Sequence, residues 1–502
     1  MSGFPQPMHR RHFLAGAATG LTALGLTTAS TARAAPLPSP PTTWTQALLD
    51  ADPRLIAFVN GTEHDQAARI EGRLPRGLAG VLYRNGPGLF EHGSDRYRHW
   101  FDGDGLIQRW SIGPQGVSYR SRFAATPKFR TEHKAGQFVL PVSGGGIRPA
   151  AAFAGANSVN PSNTAVLPVN GALWALWEGG SPLQLDPASL AAGNHVDLGD
   201  GTGGAPFSAH PRVGADGRVW NVGSLGSRVL LYRLDQTGRL EAARVQPLGQ
   251  PGYYHDFILT ERSLVLVQCS TAPDGRQSLI NGSFGSMRGV AGKPMKVHVF
   301  DRESFELVRQ AELPPGFAFH FGNGWEEADG TIRFDIVHDP NGDEMLEFFK
   351  PMEGRFPTWG SATCLVILPP KGAPRFEPIM ARTEFPVINP ALRTRRNRYV
   401  YASALTGGNP EGWFTAVTKI DLDRNAHQVC EFGPDWLVEE HVFVPDPKGR
   451  REDHGWLVGS ALNWRLGKTA LTVIDARDLE RGPVATAWLD LAQPLRLHAQ
   501  FV

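Results

Sequence analysis

Cysteine is scarce in this chain: Cys269, Cys364 and Cys430 are the only three in 502 residues. An odd and small number argues against a disulfide framework. Each cysteine lies in an apolar, strand-like run ("LVLVQCS", "ATCLVIL", "HQVCEF") and reads as a buried thiol, with one pair able to oxidise in an oxidising compartment. An excess of charge is also missing. Lys and Arg number 50 against 49 Asp and Glu, giving a net charge of +1, and no long run carries one sign. That balance excludes the basic stripe of a nucleic-acid binder. No apolar run is long enough for a membrane-spanning helix. No CxxC or HxxxH pair is present, so a local zinc knuckle is excluded. There is no serine-triad signature, no phosphate-binding glycine loop and no strict WD or kelch repeat. Amphipathic helical stretches of useful length are nearly absent.

What is abundant is turn-forming residues and short β-rich runs. Gly 57 and Pro 40 are high, while 41% of residues are hydrophobic. Together these suit tight turns between packed strands and not disorder. From about Gly72 onward, runs such as "GVLYRN", "GRVWNVG", "RVLLYRL", "TIRFDIV" and "GWLVGSAL" alternate with Asp/Asn/Gly turns. The expectation is an all-β fold of many short antiparallel strands. At this length a propeller is an economical form, because radial repetition shortens exposed sheet edges. Residues 72–502 form that expected domain. Residues 35–71 read as a linker ("PLPSPPTTW") followed by a short helix and arm over Trp44 to Asn60.

Residues 1–34 read as a targeting segment. Arg10 and Arg11 precede Phe13 and Leu14, a weakly apolar Gly/Ala-rich stretch follows, and Ala32-Arg33-Ala34 offers a cleavage site before Ala35. The pattern matches a twin-arginine export signal, with a mitochondrial presequence as the alternative. It implies a periplasmic or secreted mature protein that uses the twin-arginine machinery. That route carries folded proteins, which suits a cofactor inserted before export.

Four histidines stand in four unlike strings spread over more than half of the chain. They are His210 in "FSAHPRV", His255 in "YYHDFILT", His320 in "FAFHFGNGWEE" and His498 in "PLRLHAQFV". Imidazole is the commonest transition-metal ligand, and the ligands of a reactive centre usually converge from distant segments. Four neutral imidazoles hold a divalent ion without cancelling its charge, and they suit iron, copper, nickel or zinc.

These strings, with "GVLYRNGPGLF", "HWFDGDGLIQRW", "ALWEGGSPLQLDPASL", "TEFPVIN" and "EEHVFVPDP", resemble the carotenoid cleavage oxygenases from about Leu74 to Val502. That family includes apocarotenoid oxygenases, lignostilbene dioxygenases and a retinoid isomerase. The resemblance implies a seven-bladed β-propeller, with a short N-terminal arm and with loops and short helices capping the active-site face. It implies one Fe(II) per chain held by His210, His255, His320 and His498. It further implies that Glu178 orients His255, Glu384 orients His320 and Glu440 orients His498, leaving His210 without a carboxylate partner. The implied reaction is the oxidative cleavage of one conjugated C=C bond by dioxygen into two carbonyl products.

The resemblance also bears on the substrate. Lignostilbene-cleaving members carry a lysine just before the glutamate and an upstream tyrosine, which together bind a phenol. Here Trp177 stands at the lysine position, and Gly136 to Asn157 contains no tyrosine. The tryptophan is closer to apocarotenoid-type members, so an apolar polyene is expected. Cleavage of a stilbene or phenylpropene side chain, or a non-oxidative isomerase or hydrolase on the same propeller, is the alternative. Trp177 and Phe138 are the expected substrate contacts. Phe138 to Val142 with Ala150 to Phe153 reads as an apolar patch that touches a membrane to collect the substrate, or else as a buried loop.

Overall fold

A computed structural model describes residues 44–199, 201–273 and 282–502. The expected export signal, and most of the linker that follows it, lie outside the described residues. Within them the chain forms seven sheets of four to six strands, arranged as a seven-bladed β-propeller. Blade 1 comprises His64–Ala67, Gly80–Asn85, Pro87–Leu89, Asp104–Gly113, Gly116–Phe123 and His498–Phe501. Blade 2 runs from Ala165–Val169 to Ala192–His195, and blade 3 from Arg212–Val213 to Leu240–Pro247. Blade 4 runs from Phe257–Leu259 to Leu307–Leu313, and blade 5 from Phe317–Ala318 to Arg375–Ala381. Blade 6 runs from Thr383–Val387 to Ala426–Glu431, and blade 7 from Trp436–Pro445 to Pro483–Trp488. Neighbouring strands within each blade are antiparallel.

Burial explains the sequence pattern. Middle strands such as Ser263–Gln268 and Gly455–Asn463 are buried at every residue, since a blade lies against each face. They therefore read as continuous apolar runs. Outer strands such as Leu307–Leu313 are half exposed. The core is divided among blade interfaces: Leu82 and Trp110 of blade 1 pack with Val458 and Leu471 of blade 7, and Ile107 packs with Leu173 of blade 2.

Blade 1 closes the ring from both ends of the described chain. The C-terminal strand His498–Phe501 pairs with Gly80–Asn85, with His498 opposite Asn85. The strand Arg69–Gly72 in turn completes the edge of blade 7 by pairing Arg69 with Trp488. Propeller strands thus begin at His64, ahead of the boundary expected at Gly72. Exchanging strands at both ends leaves no unpaired seam where the chain meets itself.

The expected arm is present as the helix Trp44–Ala51 and the 3-10 turn Pro53–Phe58. Phe58 packs edge-on against Trp100 and Trp413, at ring separations of 5.6 and 5.7 Å. The arm thus braces a cap built from loops and short helices, including Pro127–Ala135 and Glu344–Glu347. The three cysteines are buried free thiols. No described helix is long and apolar enough to cross a membrane.

Candidate metal centre and substrate cavity

The innermost stretches of all seven blades meet around an axial chamber of about 530 Å³. Each blade delivers one of the seven His and Glu residues expected at the centre. His498 opens the closing strand of blade 1, His210 precedes the first strand of blade 3 and His255 precedes that of blade 4. His320 occupies the break between Phe317–Ala318 and Gly324–Glu326 in blade 5. Glu178 follows the strand Ala172–Leu176 of blade 2, Glu384 lies in the first strand of blade 6 and Glu440 in that of blade 7.

Local irregularity aims these side chains. The pairing register shifts between Glu384 and Val387, and again between Val438 and His441. Such bulges turn side chains that regular alternation would send elsewhere. Phe385 sits at φ 57, in the left-handed region that a bulky residue rarely adopts. Its N–H donates to Glu384 Oε2 at 2.5 Å, and that bond helps hold the strained turn. Glu440 and His441 separate as strand neighbours should: Glu440 reaches His498, and His441 bonds Thr472 Oγ1 at 2.6 Å.

The four histidines converge. One ligating atom from each lies within 4.8 Å of the others. His210 Nε2 and His255 Nε2 are 2.8 Å apart, and His320 and His498 have ring centroids 4.8 Å apart. On the far side of three rings stands a carboxylate. His320 Nδ1 is 2.5 Å from Glu384 Oε2, His498 Nδ1 is 3.2 Å from Glu440 Oε1, and His255 Nδ1 contacts Glu178 Oε1. His210 makes no carboxylate contact among the described residues; its backbone N–H donates to Ser208 Oγ at 3.1 Å. All seven expected residues are therefore brought together, in the expected pairs.

The donor set fits a divalent transition ion. A Nδ1–H donated to a carboxylate leaves Nε2 as a lone pair. His320 Nε2 is buried with no hydrogen-bond partner. Burial, followed by the neighbouring imidazoles, pushes His210 and His255 well below their ordinary range, and burial and His498 do the same to His320. Neutral imidazoles with lone pairs facing each other repel unless a cation lies between them. Burial raises Glu384 to about 8, and a nearby divalent cation would favour its charged form.

A second cavity, with about 60 Å³ of free volume, lies on the cap side of the histidines. Its walls include Trp100, Phe101, Phe319, Phe348, Trp359 and Trp413, and it opens onto His255, His320 and His498. Trp177 also lines it, as expected. Phe138 does not. Phe138 is buried away from the cavity, stacked on Tyr97 at 3.8 Å and over the Lys128 ammonium at 5.8 Å. The apolar patch divides in the same way: Phe138, Val139 and Leu140 are buried, whereas Phe153 is 45% exposed. The amides of Val139 and Leu140 both donate to Glu132 Oε1 at 3.0 Å, which draws that part of the loop inward.

Tyr253 also lines the cavity, and sequence reasoning passed over it. Its hydroxyl lies 3.3 Å from His255 Nδ1 and 3.5 Å from Glu178 Oε2. Its place two residues before His255 was the available signal. Two further polar side chains of the cavity are engaged within the protein: Asn163 Nδ2 donates to the carbonyls of Phe101 and Gly103, and Thr164 Oγ1 donates to Asn163 Oδ1.

Comparison with known proteins agrees with this geometry. The pattern of the retinal pigment epithelial membrane protein family matches residues 58–502. Apocarotenoid-15,15'-oxygenase of Synechocystis is 30% identical over 457 residues, covering 86% of this chain and 92% of that protein. The 9-cis-epoxycarotenoid dioxygenase NCED1 of Oryza sativa is 28% identical, covering 90% of this chain and 76% of that one. Among solved structures, cobalt-substituted Synechocystis apocarotenoid oxygenase superposes with a TM-score of 0.80 at 28% identity, covering 90% of this chain and 98% of that one. Fold, histidine centre and sequence agree, and the chain belongs to the retinal pigment epithelial membrane protein family, the carotenoid cleavage oxygenases.

Proposed function

We propose that this protein is a nonheme Fe(II) dioxygenase that cleaves one C=C bond of a conjugated, apolar polyene into two carbonyl products. The observation that carries the reading is the aromatic cavity opening directly onto three of the four convergent histidines. His210, His255, His320 and His498 would hold the ion. Bound there, iron(II) supplies the chemistry that activates dioxygen, with the alkene as electron source.

The chain's own residues do the rest. Neutral imidazoles leave the ion's charge uncancelled, and Glu178, Glu384 and Glu440 fix three ring orientations. The aromatic walls exclude water and set one double bond beside the centre. No side chain need donate or accept a proton. Aromatic rings make up most of the cavity wall, and Asn163 and Thr164 are engaged within the protein, which favours an apolar substrate. With Trp177 where a phenol-binding lysine would stand, the same preference follows. A free volume of about 60 Å³ accommodates the surroundings of one double bond, so a longer polyene displaces cap rings as it enters.

Export through the twin-arginine route to the periplasm or beyond belongs to this proposal, resting on Arg10, Arg11 and the Ala32–Ala34 cleavage site. Contact of the exposed Phe153 segment with a membrane surface belongs to it as well.

The test is incubation of iron-loaded mature protein with an apocarotenal and, separately, a hydroxystilbene, under isotopically labelled dioxygen. The proposal expects two carbonyl products from the apocarotenal, both labelled. Labelled products from the stilbene alone would overturn the polyene preference, and isomerised or hydrolysed product without label would overturn the oxygenase reading.

A further inference from the structure

The string from His99 to Gly105 touches no metal-site histidine, yet His99, Asp102 and Asp104 are all buried. Each holds a different piece of the cap. Asp104 Oδ1 receives the Lys128 ammonium of the helix Pro127–Ala135 at 2.8 Å. Asp102 accepts the Gly144 N–H on both oxygens at 3.0 Å. His99 has the widest reach.

His99 Nδ1 accepts the N–H of Phe101 at 3.1 Å, and Nε2 faces the Met345 carbonyl at 3.0 Å. One nitrogen accepting and the other donating selects a single neutral tautomer. Burial pushes His99 down to about 3, consistent with that state. Its ring lies 4.7 Å from Phe284, 4.6 Å from Phe349 and 5.1 Å from Phe101, centroid to centroid. The adjoining Trp100 N–H donates to the Phe348 carbonyl at 3.0 Å. The loop at Gly144 presses close enough that a Cβ there would sit 2.4 Å from His99 Cβ.

The segments that meet at His99 come from three blades. Phe101 belongs to blade 1, Phe284 to the excursion between the second and third strands of blade 4, and Met345 to Phe349 to the excursion between Ile332–Asp339 and Ala362–Leu368 in blade 5. Phe101, Phe284 and Phe348 line the cavity, whereas His99 does not. We infer that His99 is a specificity-determining positioning residue, locking Phe101, Phe284 and Phe348 into the arrangement that selects which double bond lies beside His255, His320 and His498. This inference rests on the alkene-cleavage reading above.

The test compares His99→Phe with His99→Gln in the full iron-loaded protein. Phenylalanine keeps the ring but leaves the Phe101 N–H and the Met345 carbonyl unpaired, while glutamine can accept from one and donate to the other. For each variant, iron per chain, KM and kcat for an apocarotenal and the position of cleavage are measured. The inference expects His99→Phe to keep wild-type iron content, raise KM about tenfold or more and produce a second cleavage product. It expects His99→Gln to restore the single product. A purely structural role would lower stability and yield together and leave the cleavage position unchanged. A His99→Phe protein with wild-type KM and one product overturns the inference while the polyene reading stands. Wild-type protein that cleaves no polyene overturns both. If His99→Phe fails to fold, Phe349→Leu, which loosens the packing around His99 without touching the cavity, is expected to give the same second product, and a single product there overturns the inference.

Discussion

His320 is gripped on one side and bare on the other: Nδ1 lies 2.5 Å from Glu384 Oε2, while Nε2 is buried without a partner. A side chain so oriented, with its remaining lone pair turned toward three other imidazoles, is arranged for a cation. Glu384 would thus orient a ligand of a bound ion without being a ligand itself. Replacing Glu384 with Gln keeps the shape and removes the charge. The expected outcome is a loss of iron affinity of about 10- to 100-fold, in line with other carboxylate–histidine pairs, read by competition with a chelator. Affinity equal to that of the wild type would mean that the pair is incidental.

Trp177 forms part of the cavity wall and is not one of the four convergent histidines that could hold an ion. Trp177→Ala is expected to leave iron content unchanged and to raise KM for an apocarotenal about tenfold through lost apolar contact. The readout is steady-state oxygen uptake. A fall in kcat at constant KM would instead place the indole's effect on the reacting bond.

Lys128 is fully buried between Asp104 and Glu132, each at 2.8 Å. Truncating one partner of a buried ion pair leaves uncompensated charge. Lys128→Met is therefore expected to destabilise the fold by about 3–5 kcal/mol, measured by urea unfolding. Since Glu132 Oε1 also holds the amides of Val139 and Leu140, hydrogen exchange over that segment should accelerate in the variant.

The same region makes stability depend on pH. Burial raises Asp102 to about 7 and Asp104 to about 6, against the pull of Lys128 and backbone donors. Both stand above the ordinary carboxylate value, so the folded chain binds these protons more tightly than the unfolded chain. Their stabilising contribution is complete below the unfolded-state value and is lost as pH rises through 6 and 7. The urea midpoint is expected to fall between pH 5 and pH 8, and Asp102→Asn is expected to flatten that fall. An unchanged slope in the variant would contradict this assignment.

The all-β character was legible because turns and apolar runs alternate throughout, and the seven histidine and glutamate positions were legible from their strings. The pairing of Glu440 with His498 came from the family resemblance, and strand alternation accounts only for Glu440 facing away from its neighbour His441. The bulges at Glu384 and Glu440, and the positive φ of Phe385, were not readable, since register shifts leave no compositional mark. Phe138 was misplaced for a related reason. Its surroundings are apolar in sequence, but the buried Lys128–Glu132 pair that draws the loop inward lies upstream and resembles an ordinary helix surface pair. The contacts of Tyr253 with Glu178 and of His99 with Phe284 and Met345 join segments from different blades, which one-dimensional spacing does not bring together.

The most direct measurement is iron content and oxygen uptake on the same preparation, for wild type and His320→Ala. The account predicts one iron per wild-type chain, oxygen consumption with an apocarotenal, and loss of both in the variant. A wild-type protein without bound transition metal, behaving like His320→Ala in both measurements, would contradict it.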